Sequence, residues 1–183
     1  MAYRLLPLAF AATLAALPLA AAPPAPDAAQ ADREFLFRLG LMEGHLAVGQ
    51  ELVAAKKAPM AVPHFGHPVR ELYDDMVGYL KAHNIPAFKR DLVGLEAAVT
   101  AAPYAASTAA KYKDVMATLE RARQAVPADV RDSVPETLRI CADTIAAAAG
   151  EYNGAIEKGK VANMVEYHDS RGFVLQTAGT VQK

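Results

Sequence analysis

The sequence predicts an all-α protein, an up-and-down bundle of four long helices with one arm broken into two shorter helices. Three observations carry that expectation. Apolar residues recur at steps of three, four and seven through most of the chain, which is helical periodicity. Prolines punctuate the apolar segments, and no segment alternates every second residue between hairpin turns. The connections are short, so consecutive helices become antiparallel neighbours. With 183 residues, 53% of them hydrophobic, the chain has the material for one domain with a substantial core.

The N-terminal stretch stands apart from the bundle. Met1 to Arg4 is short and basic, Leu5 to Leu19 is almost unbroken apolar, and small residues follow. This is the pattern of a secretory signal peptide, residues 1–22, with cleavage as late as 31 as the alternative. Pro7 and Pro18 interrupt the run, and no charged stop follows it. A spanning helix needs about 20 apolar residues, so no stable membrane span is expected after cleavage. Residues 23–31 read as a flexible Ala/Pro leader and 32–183 as the folded domain. The expected location is the periplasm or the exterior.

The elements follow in order. Asp32 is placed to cap a first helix over 33–57, whose stripe is Phe35, Leu39, Met42, Leu46 and Val53. Gly49 falls on that stripe, and Gly40 and Gly44 on a neighbouring face carry a propensity cost near 1 kcal/mol each, so close approach of a neighbour is expected there. Lys56, Lys57 and Pro59 close the helix, and 58–67 reads as a loop. Pro68 then opens a second helix to His83, with His67 as an extended N-cap. Asn84-Ile85-Pro86 ends it, and a third helix over 87–102 completes the broken arm.

Helix four is expected over 107–126, with Ser107 as cap. Helix five opens at Pro135 with Leu138, Cys141, Ile145, Ala148, Tyr152 and Ile156 inward, and Gly159 is its left-handed end. Helix six, about 161–178, is expected to bury Val161, Val165, His168 and Leu175.

Composition excludes several functions. A formal net charge of −1 lacks the basic excess that nucleic acid demands. The single cysteine, Cys141, cannot form an internal disulfide and reads as a small buried hydrophobe. Neither a nucleophile elbow nor His-Glu-x-x-His is present, so the chain is read as a binder and not an enzyme.

The local concentration of coordination chemistry is Pro63-His64-Phe65-Gly66-His67-Pro68-Val69-Arg70-Glu71. Imidazoles with a carboxylate suit borderline metals, copper or zinc, so His64, His67 and Glu71 are the expected ligands, with His45 as a fourth. The expected role is a carrier, buffer or sensor. The alternatives are a small anion held by free N–H groups at the helix mouth, or a scaffold protein that offers an exposed apolar helical face to a partner.

Met42 on the first helix and His168 on the last give an arrangement similar in outline to periplasmic four-helix haem proteins of the cytochrome b562 type, which ligate iron by Met and His. That resemblance covers two residues, and the c-type attachment signature is missing, so haem is not expected. The His-x-x-Glu motif of imelysin-like iron-uptake proteins is not met, because Val48 and His67 stand where Glu would be. None of the five histidines has the Glu three residues before it that ferritin-like di-iron sites require.

Overall fold

A computed structural model describes residues 28–182. The stretch expected to be a signal peptide, and most of the expected leader, lie outside the described residues. The fold is an all-α bundle in which α1 (Ala28–Ala54) is the central helix. The broken arm follows as α2 (Ala58–His67), a π-helical turn (Pro68–Tyr73) and α3 (Asp74–Ala82). Next come α4 (Lys89–Ala101), α5 (Ala106–Gln124), the single turn α6 (Ala128–Arg131), α7 (Val134–Ala155) and α8 (Met164–Val181).

Apolar periodicity explains why α1 sits at the centre. Phe35, Leu36, Leu39, Met42 and Leu46 are almost fully buried, and α1 packs against the arm, α7 and α8. The pairs Gly49/Phe65, Arg38/Asp75 and Asp32/Tyr79 run in opposite chain directions, so the arm is antiparallel to α1. Gly40/Gln176 and Gly44/Gly172 show the same for α8. The α4–α5 hairpin covers the arm's other side through Leu92, Leu95, Val115 and Leu119.

Several local expectations give way to packing. α1 starts at Ala28, and Asp32 is an interior residue whose buried carboxylate accepts a hydrogen bond from the Tyr79 hydroxyl at 2.5 Å. Residues 58–67 are helix and not loop. His67 is helical (φ −56, ψ −41), so it is not an extended N-cap. Pro63 and Pro68 each remove a backbone donor, but Ala61, His64, Phe65 and Leu72 bury one face of the arm and hold it continuous. The widened π-helical turn begins at Pro68, where an α bond is lost. The expected helix mouth is therefore missing, and with it the free N–H groups that the anion reading needed.

Ala105, not Ser107, occupies the cap position of α5, while Ser133 caps α7 by accepting from the Glu136 amide. α7 ends at Ala155, and a two-residue antiparallel ladder, β1 (Ile156–Glu157) and β2 (Lys160–Val161), turns the chain into α8. Gly159 is left-handed as expected (φ 75), but in this hairpin and not at a helix end. The stripes of α7 and α8 are also rotated from expectation. Cys141, Thr144, Ala148 and Ala155 are buried on α7, and Asp169, Ser170, Gly172, Phe173 and Thr177 on α8. Leu138, Ile145, Tyr152, Val161 and Leu175 are exposed.

Candidate metal centre

Two close approaches on α1 build the site. A Cβ on Gly172 would stand 2.4 Å from the Gly44 carbonyl oxygen, so α1 and α8 touch backbone to backbone. A Cβ on Gly49 would meet the Phe65 ring at 2.8 Å, which presses α2 onto the same helix. His45 follows Gly44, His64 precedes Phe65, and Asp169 lies one turn before Gly172. The glycine contacts thus bring three helices together where these side chains project.

The result is a buried cluster. His45, His64, His67 and Asp169 each offer one ligand atom, and these atoms all lie within 4.8 Å of one another. Asp169 is its hub. Oδ1 accepts from His45 Nδ1 at 2.6 Å and from His64 Nδ1 at 2.7 Å. Oδ2 lies 3.0 Å from His67 Nδ1, close enough for charge attraction but out of line for a proper hydrogen bond. His67 Nδ1 and His64 Nε2 are buried without a hydrogen-bond partner. Orphaned buried nitrogens are costly in a folded protein.

Electrostatics favour a cation. Burial alone would raise the Asp169 carboxyl, yet the hydrogen bonds from His45 and His64, with the His67 ring close by, hold it well below the usual carboxylate range. Burial works against the His67 imidazolium, but Asp169 and then Glu71 outweigh it and the pKa is raised. Burial pushes the Glu151 carboxyl up, and repulsion from Asp169, Glu71 and Glu166 adds to that. Carboxylates crowd this end of the bundle, which attracts metal ions and repels anions.

The structure brings His45, His64 and His67 together as the sequence suggests. Glu71 stands at the solvent side of the cluster, 3.8 Å from His45 Nε2 and 3.7 Å from His67 Nδ1. The π-helical turn explains its position, since four residues make about one π turn and stack Glu71 over His67. Asp169 escapes the sequence reading, which sets His168 on the inner stripe instead. His168 is half-buried and lies edge-on to His64 with ring centroids 5.5 Å apart. Burial and the neighbouring His64 lower its pKa. Gly172 is the available signal, because it marks the side of α8 that a backbone approaches, and Asp169 lies on that side.

The donor set fits a transition metal. Imidazole nitrogens with one carboxylate accept zinc, copper or ferrous iron. Four donors around a tetrahedral ion stand about 3.4 Å apart, so binding requires the widest pair to close by about an ångström. The cluster of three histidines and one aspartate could hold a metal ion, and its donor types do not select one.

Comparison with known proteins adds one finding. Residues 127–183, the stretch from α6 through α8, match a family described as the iron permease-associated 4-helix bundle domain. The match covers less than a third of the chain and includes Asp169 but none of the clustered histidines. No curated protein and no solved structure matches the chain. No helix among the described residues is long and apolar enough to cross a membrane.

Proposed function

We propose that this protein binds one transition-metal ion through His45, His64, His67 and Asp169, as an exported carrier, buffer or sensor, with iron as the favoured cargo. The observation that carries this is the convergence of three imidazoles on one buried carboxylate, with two ring nitrogens left unpartnered. Three rings and a hub from three helices serve no evident packing purpose that apolar residues would not serve better.

Glu71 is the solvent-facing carboxylate through which an ion enters or leaves, held beside His45 and His67. Iron is favoured over the copper or zinc suggested by residue types alone because the matching family is described by its association with an iron permease. Export rests on the apolar N-terminal run and its small-residue tail.

The test is elemental analysis of the purified chain, with calorimetric titration of ferrous iron under anaerobic conditions and of copper and zinc. Asp169→Asn and His64→Ala serve as variants, with helicity checked by circular dichroism. One ion per chain at sub-micromolar affinity, weakened about 100-fold or more in folded variants, is expected. Equal, weak binding by wild type and variants would refute the proposal.

A further inference from the structure

The amphipathicity of α7 is inverted. Its buried seam consists of small residues, Cys141, Thr144, Ala148 and Ala155, and of its larger apolar side chains Ile140 packs partly buried on the core while Leu138, Ile145 and Tyr152 face outward. Leu138 is 57% exposed, Ile145 43% and Tyr152 48%. With the exposed Ala142 and Ala149 they follow a strict four-three spacing, Leu138, Ala142, Ile145, Ala149, Tyr152. This is the spacing of a coiled-coil seam, over two heptads, and it lies exposed.

α8 widens the same face. The β1–β2 ladder makes α7 and α8 antiparallel, and the Tyr152 and Tyr167 rings lie 6.1 Å apart. Steps of seven from Tyr167 reach Val174 and Val181, exposed by 46% and 57%. These stand level with Ile145 and Leu138.

We infer that this face docks a second copy of the chain, with α7 packed antiparallel against its symmetry mate about a two-fold axis. The order of side-chain sizes argues for a copy over an unrelated partner. In an antiparallel register that sets Leu138 opposite Ala149, Ala142 falls opposite Ile145, and the reverse pairs follow by symmetry. The central large residues, Leu138 and Ile145, each meet an alanine, Tyr152 falls opposite Pro135, and the two-fold axis passes between residues 143 and 144. A self-complementary patch of this kind is what an isologous dimer requires.

The area is sufficient. Leu138, Ile145, Tyr152, Val174, Val181 and the exposed Val134 leave roughly 600 Å² of surface open per copy, and covering all of it gives roughly 1,200 Å² for the pair, the lower bound of stable interfaces. The exposed Ala142, Ala146, Ala149 and Gly150 let the helices approach closely.

Sedimentation equilibrium of the full chain across 1–500 µM tests the proposal, those limits spanning roughly the affinities of weak to stable dimers. A reversible dimer is expected. Ile145→Glu, at a side chain 43% exposed in the monomer, weakens the association about 100-fold or more while helicity is unchanged. In a Cys141→Ser background, Asp143→Cys next to the axis gives a covalent dimer with a short thiol crosslinker, and Lys113→Cys on α5 does not. A monomer at every concentration would overturn the proposal, as would a dimer indifferent to Ile145→Glu or equal crosslinking from residue 113. The interface does not depend on the metal reading, so either can fail alone.

Discussion

Substituting Gly172 by Ala separates the packing that builds the site from general helix stability. In an open helix position, Gly→Ala stabilises by about 0.4–1 kcal/mol. At Gly172 the new methyl would stand 2.4 Å from the Gly44 oxygen, 3.0 Å from its carbonyl carbon and 3.2 Å from Val48 Cβ. A methyl carbon rests at about 3.5 Å from such atoms, so α8 must move off α1 by about 1 Å. Overpacking of this kind costs about 1–3 kcal/mol. Backbone meets backbone here, so no flexible side chain can swing aside. The net expectation is a loss of about 1–2 kcal/mol, or about 2–8 °C in Tm for a chain of this size. Asp169 rides on α8, so its 2.6 Å bond to His45 lengthens and metal affinity falls about 10–100-fold. Gly78→Ala and Gly179→Ala, where a Cβ meets nothing within 4 Å, serve as controls that hold or raise Tm. Thermal melts and metal titrations of the three variants decide the matter. If Gly172→Ala matches its controls in both, close approach of α1 and α8 does not position the cluster.

Two further outcomes are expected. The His67 pKa is raised, so its contribution to the metal-free fold is complete below about pH 6.5 and is lost as pH rises through the folded value; the Asp169 pKa is depressed, so its contribution is complete above about pH 4 and is lost in acid. Metal requires neutral imidazoles, so the rise in Tm on adding metal should grow from pH 5.5 to pH 8, and a rise that is flat or shrinks across paired melts would contradict the assignment. Tyr79→Phe leaves the buried Asp32 carboxylate without its 2.5 Å donor and should cost about 1–3 kcal/mol in denaturant unfolding, with metal binding unchanged.

Much of this molecule is legible in its sequence, and what is not has physical causes. The class and the helices α1, α4 and α5 follow from apolar periodicity, since long stripes leave little ambiguity. Residues 58–67 resist a local reading because Pro63 and Pro68 are strong breakers, and that local preference is overruled by burial of His64 and Phe65. Asp169 is hidden because one residue along a helix is a rotation of 100°, enough to exchange it with His168. α7 misleads for a different reason. Its large apolar residues mark a hydrophobic face correctly, but in this chain that face looks outward. The histidines are identified from their side-chain chemistry alone, and their meeting point depends on glycine contacts between segments far apart in the chain.

The distance in sequence across the cluster has its own consequence. His45 and Asp169 are 124 residues apart, so an ion held by both closes a loop through most of the domain. It acts as a removable crosslink in a chain whose single cysteine offers no covalent one. Closing a loop of that length restricts the unfolded chain much as a disulfide does, so loading and global folding become one coupled equilibrium. Release then has a topological condition. On the proposed metal reading, an ion leaving past Glu71 must part from donors on α1 and α8, the first and last helices of the described residues.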